Sequence, residues 1–461
     1  MPLFFLFLAQ MAAAGPFRAP LQKPVHVRWE PGQSTDRIRI KLQDDVDGLP
    51  VFGGQRARPL VEESDSLWSE LERISEENGL PRLTQYFELH RPTGDAEEVA
   101  EAFNEMDWVE LAYLAPAAQP PPGDLAPTTP DFRPDQVWLD AAPEGIDRAH
   151  MHRWPGGEGE GVAIADLEYS WDKVHEDHAI PSEHLLHGVD SETYRFHGTS
   201  VLGQLFGEDN GYGIEGVVPQ AEPVLLSPYV TSTEYSVGAA VLAAVELLNP
   251  GDVLLIEQQA FANGNYAPVE VDPFVFDAIS TAVAAGIVVV EPTGNGFQDL
   301  DDASFEGWFD RDQRDSGAIL VGGGVSPLSS GDPRTWQAGA SSYGSRVDVQ
   351  GWVSHIVTTS NADYDGAYAD LFLPETELYP AGDPRQGYTQ SFGGTSGAAP
   401  MVAGVAASLQ AVHLALHGEP LSPDDLRDLL VATGSPQPGT DDFHIGPLPD
   451  GRNALRYGVL P

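Results

Sequence analysis

From residue 161 onward the chain alternates short apolar runs with stretches of helical spacing, and this alternation restricts its fold more than any other feature. Residues 161–166 (GVAIAD), 223–226, 252–257 and 287–291 read as buried strands, and 317–322 and 346–349 add later ones. Residues 236–248 and 273–285 are the intervening helices, followed by helices at 395–413 and 423–432. A parallel sheet with helices on both faces is the architecture that such a pattern builds.

Three segments within that frame carry chemistry. Residues 392–404, FGGTSGAAPMVAG, form a glycine turn feeding a helix of small residues that can press close to neighbouring backbone. Ser396 then stands at a helix N-terminus, where unpaired N–H groups and the helix dipole favour negative charge. An acyl-transfer oxyanion needs that environment. Taken alone, the segment also fits a buried, alanine-rich packing helix with an N-cap serine. Residues 161–166 end in Asp166 at the C-terminal edge of a strand, where open α/β sheets carry their sites. Residues 197–207, HGTSVLGQLFG, open on His197 and continue as a short helix with Val201, Leu202, Leu205 and Phe206 inward. The order Asp, His, Ser is that of the subtilisin triad.

On these residues the chain resembles the subtilisin-like serine peptidases, the subtilases. HGT at 197–199 and GTSGAAPMVAG at 394–404 match the family's motifs closely. The aspartate segment matches more loosely, because Leu167-Glu168-Tyr169 follow where the family has a threonine or serine and then glycine. A fourth segment, GIVVVEPTGNG at 286–296, runs from an apolar strand into Thr-Gly-Asn-Gly. The likeness spans roughly residues 150–460 and implies an α/β, subtilisin-like catalytic domain. It also implies hydrolysis of peptide bonds through an acyl-enzyme. Ser396 would attack, His197 would carry the proton, and Asp166 would orient the imidazole. Asn295 and the Ser396 N–H would hold the oxyanion, and no cofactor would be required.

In the family, the strand that pairs with substrate carries a serine and a glycine beside the specificity pocket. The corresponding run here, 255–260, is LIEQQA. Gln258, Gln259 and Ala260 are therefore expected at the substrate, together with Gly294. Either the glutamines narrow the pocket or they point away and leave backbone pairing to hold the peptide. A one-residue change of register reverses every side chain, so both readings stand. The acidic runs DLDD at 299–302 and DRD at 310–312 have the alternating oxygens of a calcium loop. Structural calcium, frequent among subtilases, is thus an expectation without assigned ligands, since so acidic a chain holds carboxylate clusters anyway.

Residues 25–114 read as a small α+β, ferredoxin-like unit. Its strands are expected at 36–42, 83–89 and 108–114. One helix at 64–78 carries Leu67, Leu71 and Ile74 on one face and ends at Gly79. A second, capped by Asp95 and Glu98, turns Val99, Phe103 and Met106 inward. Ahead of a subtilase domain, such a unit resembles the family's pro-domain; an independent accessory domain is the alternative. The proline-rich residues 115–134 have no periodicity and suit proteolytic nicking. Residues 115–150 are accordingly read as linker and start of the mature enzyme, and 151–461 as the peptidase domain. Residues 1–14 have the apolar core and small-residue end of a secretory signal cut near Ala14, implying an extracellular or periplasmic protein. No lysine or arginine precedes that core, which leaves a misplaced start codon or a buried N-terminal strand as alternatives.

Charge is the other distinctive property. Seventy Asp and Glu face 24 Lys and Arg, a net charge of −46, and lysine occurs only at Lys23, Lys41 and Lys173. Such a surface repels nucleic acid and anionic lipid, so neither is an expected partner. Polypeptide substrates and the chain's own pro-domain are, and the enzyme is expected to be a monomer. No cysteine is present, so there is no disulfide framework. The acidity suits a protein working in concentrated salt, or simply an acidic secreted one. On the saline reading the thermal unfolding midpoint rises between about 0.1 and 1 M sodium chloride, as the Debye length falls from about 10 to about 3 Å. A midpoint that is flat or falls over that range, with potassium chloride as control, would remove this reading.

Overall fold

The computed structural model describes residues 23–460 apart from 25, 29–32, 45, 47, 49, 62–64, 79, 91, 93–94, 117–128, 181–183, 362–376, 380–383 and 440. The signal expected at 1–14, the helix end at Gly79 and most of the proline-rich tract lie outside the described residues. The chain divides into two compact units, Met1–Ala126 and Pro127–Pro461.

In the first unit β1 (Gln33–Leu42) lies between β3 (Tyr86–His90) and β4 (Val109–Pro116), antiparallel to both. The short edge strand β2 (Arg58–Pro59) completes the order β2-β3-β1-β4. Helices α1 (Asp65–Asn78) and α2 (Ala96–Asn104) accompany this sheet. The Asp95 carboxylate caps α2 by accepting from the N–H groups of Glu97 and Glu98 at 2.9 and 3.3 Å. Ile38, Ile40, Phe87, Leu89, Val99 and Phe103 form the core, and Met106 packs against it. Ile74, expected on the apolar face of α1, is 37% exposed.

The second unit is built on a seven-stranded, wholly parallel sheet. Its strands are β5 (Ala163–Leu167), β6 (Leu185–His187), β7 (Glu222–Leu226), β8 (Val253–Ile256), β11 (Val288–Pro292), β12 (Ile319–Gly324) and β13 (Val349–Trp352). A hairpin of β9 (Ala260–Ala262) and β10 (Asn265–Ala267) follows β8. The spatial order is β6-β7-β5-β8-β11-β12-β13. The first strand therefore sits inside the sheet: the chain goes out to the edge as β6, returns inward as β7 beside β5, then crosses to β8 on the other side. Such a reversal opens a crevice at the carboxyl ends of the strands that flank it, here β5 and β8.

Strand periodicity sorts the sheet residues into two cores. Ile164, Leu225, Val253, Leu255, Val288 and Val290 pack under α3 (Arg195–Phe206) and α6 (Thr395–His417). Ala165, Leu167, Val224, Leu226, Leu254 and Ile256 pack under α4 (Val237–Leu247) and α5 (Pro273–Ala284). Helix α6 is apolar over most of its length because it crosses the middle of the first core, where residues 397–412 are all buried. The strand expected at 346–349 begins three residues later than expected, at Val349. Arg346 and Asp348 are instead buried in an ion-pair network with Glu270. Sequence periodicity missed β6 and an antiparallel sheet of β14 (Ile356–Ser360), β15 (Glu377–Tyr379) and β16 (Gly387–Phe392), which leads into α6.

Candidate active site

Asp166 and Glu168 alternate inward from β5 toward α3 and α6, whereas Leu167 belongs to the opposite core. Leu167 pairs with Ile256 across to β8, and the Glu257 N–H donates to the Leu167 carbonyl at 3.1 Å. Glu257 therefore stands beside Glu168 at the edge of the sheet. Three carboxyls thus converge under two helix N-terminal turns, and all three are buried.

His197 lies in the first turn of α3 with its side chain 23% exposed. Its Nδ1 is hydrogen-bonded to Glu168, whose other carboxylate oxygen accepts from the Tyr169 N–H at 2.8 Å. Phe392 meets the imidazole edge to face, with centroids 5.5 Å apart, which fixes the plane of the ring. Tyr169 packs against Tyr194, Tyr229 and Tyr235 at 5.3 to 6.1 Å, covering the Glu168 side of the site with rings. Gly198 makes the close approach possible. A Cβ there would stand 2.3 Å from the Ser170 carbonyl oxygen and 2.8 Å from Glu168 Cγ. Gly198→Ala is expected to push Glu168 off His197 and to cost at least tenfold in kcat, with KM changed less. Wild-type kinetics in that variant would show the contact to be dispensable.

Asp166 does not occupy the place expected for it. It accepts a hydrogen bond from Trp171 Nε1 at 2.7 Å, and its other oxygen has no partner among the described residues. Two residues of strand separate it from Glu168, about 6.6 Å at the usual rise. Its hydrogen-bond partner is Trp171, and the carboxylate partner of His197 is Glu168. The departure from the family pattern at 167–169 was the signal in the sequence. A carboxylate two residues beyond an aspartate lies on the same face of a strand, nearer the rim.

Ser396 is half-buried in the first turn of α6. The helix is entered through Gly394 at φ +69°, a conformation that L side chains rarely adopt. Pro400 has no N–H to give the Ser396 carbonyl its helical partner. Asn295 is anchored through Oδ1, which accepts from the Thr395 N–H at 2.9 Å, so its amide hydrogens are directed elsewhere. Gln259 Oε1 takes the Asn295 backbone N–H at 2.9 Å and lies 3.4 Å from Nδ2. Gln258 is buried and receives the Tyr235 hydroxyl at 2.8 Å. Both glutamines therefore have partners within the protein in this structure. Ala260 opens β9, paired with Ala267, and the Gly294 carbonyl accepts from the Ser342 N–H at 3.0 Å.

Burial is the largest influence on the two remaining carboxyls. It pushes Asp166 well above the usual carboxylate range, and Glu168 adds to the shift while Trp171 opposes it. Glu257 is raised well above that range by burial, then by Glu168 and Asp166, with the neighbouring Ser396 hydroxyl opposing. Neither Glu257 oxygen is within hydrogen-bonding geometry of a partner among the described residues. One donor atom from each of Glu168, His197 and Glu257 lies within 4.8 Å of the others. Because Glu168 already holds the imidazole Nδ1, this group is a hydrogen-bonded acid–imidazole cluster. In the acidic loops, Asp299, Asp302 and Asp310 cap their own backbone, and Asp301 receives the Ser345 N–H and hydroxyl.

The family profile described as the subtilase family matches residues 165–447. No curated protein sequence matches the chain. Among solved structures it is similar to a protease from Pseudoalteromonas arctica, with 18% identity over 72% of this chain and 99% of that one and a TM-score of 0.49. Similar too is a cold-adapted subtilisin-like serine proteinase, with 18% identity, 63% and 89% coverage and a TM-score of 0.42. Fervidolysin from Fervidobacterium pennivorans, a keratinolytic enzyme related to subtilisin, matches at 16% identity, 94% and 63% coverage and a TM-score of 0.47.

Proposed function

The chain belongs to the subtilase family, the subtilisin-like serine endopeptidases, and we propose that it is a secreted, self-processed member whose catalytic acid is Glu168. The hydrogen bond between Glu168 and His197 Nδ1 carries this reading. It leaves Nε2 as the basic nitrogen of the imidazole.

In the proposed cycle Ser396 Oγ attacks the scissile carbonyl and its proton passes to His197 Nε2. The imidazolium is stabilised by Glu168, which keeps its charge. Asn295 Nδ2 and the Ser396 N–H receive the oxyanion, the second at the positive end of α6. Collapse expels the amine, which takes the proton from His197. Water then repeats the sequence to release the acyl group. Substrate binding by Gln258, Gln259, Ala260 and Gly294 goes with this reading. Gln259 would exchange its hold on Asn295 for the peptide.

The substrates are polypeptides, the first being the chain's own N-terminal unit acting as pro-domain, and the mature enzyme is a monomer that requires no cofactor. Structural calcium remains a separate expectation, tested by the effect of a chelator on the unfolding midpoint. Asn295→Ala is expected to lower kcat by roughly 10^2 to 10^3 with KM nearly unchanged. A change confined to KM would remove Asn295 from the oxyanion site. The reading as a whole is tested by treating purified protein with a serine-directed fluorophosphonate and mapping the label. Modification at Ser396 supports it; unlabelled protein, which also fails to hydrolyse casein, would make the chain a peptide-binding relative without catalysis.

A further inference from the structure

The cycle above leaves Glu257, a carboxyl of the cluster under the nucleophile's helix, without a role. Its side chain is buried, both oxygens lack a hydrogen-bond partner among the described residues, and Ser396 is near enough to influence its ionisation. The sheet register sets it next to Glu168, and one of its oxygens lies within 4.8 Å of an imidazole nitrogen of His197. The groups that face it are Asp166 and Glu168 from the β5 edge, His197 from α3 and Ser396 from α6, with no lysine or arginine among them. A second anion here would be dry, unpaired and beside the carboxylate that His197 requires. The neutral acid avoids that cost.

Resting on the peptidase reading, we propose that Glu257 is a further catalytic residue, whose carboxylic acid, unpaired among the described residues of this structure, donates a hydrogen bond to Ser396 Oγ once substrate fills the cleft and leaves the serine proton directed at His197. A carboxylic acid kept neutral in a dry site is a donor, a role that a carboxylate cannot fill. During attack the serine proton goes to His197 Nε2, the Oγ–C bond forms, and Glu257 keeps its own proton throughout. Its donation stabilises the charge that builds on Oγ as that proton leaves. Once ionised, Glu257 can only accept. It then draws the serine hydroxyl away from His197 and sets a negative charge beside the forming oxyanion. Activity accordingly falls as pH rises through the ionisation of Glu257, and the enzyme works on the acidic side of that limb.

The test is the pH dependence of kcat/KM on an uncharged peptide from about pH 4 to 10, with the fluorophosphonate labelling rate measured in parallel. It compares wild type with Glu257→Gln and Glu257→Ala. Glutamine donates N–H at every pH, so Glu257→Gln should stay within a few-fold of wild type at the acidic optimum and lose the alkaline fall. Glu257→Ala should lose about 10^2 in kcat across the range, with little change in KM. Should Glu257→Gln keep the wild-type alkaline limb, or Glu257→Ala match wild type, the proposal is overturned. Absence of both hydrolysis and labelling in wild type at every pH would instead overturn the peptidase reading, and this proposal with it.

Discussion

Glu168→Gln is expected to lower kcat by about 10^4, while Asp166→Asn stays within about tenfold of wild type. The first figure is the one known for amidating the triad acid of a serine peptidase, where geometry survives but the imidazole is held in the wrong tautomer. Expressed as a barrier, it is about 5 kcal/mol. The second follows from position: Asp166 bonds Trp171 and not His197. Burial already favours its neutral form, which asparagine imitates in shape and charge. Steady-state kinetics on one peptide substrate separate the two. If Asp166→Asn proves as damaging as Glu168→Gln, the catalytic acid is Asp166 and the paired glutamate has another use.

Ser396→Ala should remove about 10^6 of kcat, the size of the effect in subtilisin, because no other hydroxyl is presented to the imidazole in the proposed cycle. The same substitution should block maturation. Active enzyme is expected to begin between about residues 115 and 134, in the proline-rich tract, and the alanine variant to accumulate uncut. N-terminal sequencing decides the processing question. Active protein that still begins near Gly15 would make the N-terminal unit an accessory module, and near-normal turnover by Ser396→Ala would end the nucleophile assignment.

Much of this was legible in the residues themselves. Apolar runs separated by helical spacing led to a parallel sheet with helices on both faces, because no other arrangement buries such strands while pairing their backbone. Val201, Leu202, Leu205 and Phe206 are in the core as expected, although α3 is buried all round from Gly198 onward. The glycines around Ser396 forecast a sharp entry to a buried helix, and Gly394 has the left-handed φ that such an entry needs.

What the residues alone left open was which carboxyl serves the histidine. Asp166 and Glu168 project from the same face of β5, and period two cannot choose between side chains that it treats alike. The choice depends on how α3 packs on the strand: Gly198 lets the helix settle against Ser170, Trp171 and Glu168, and His197 bonds Glu168. Glu257 stood out in the sequence only as part of the atypical run 255–260, 60 residues from His197 and 139 from Ser396, with nothing to place it at the site. Only the pairing of β8 with β5 sets it beside Glu168, since register between strands belongs to the sheet and not to either strand. Local pattern therefore gave most strands and helices of the large sheet and pointed to His197 and Ser396. The partner of the imidazole and the acid beside the serine were decided by tertiary packing, because hydrogen bonds at this range depend on shifts of a few ångströms that strand and helix periodicity do not encode.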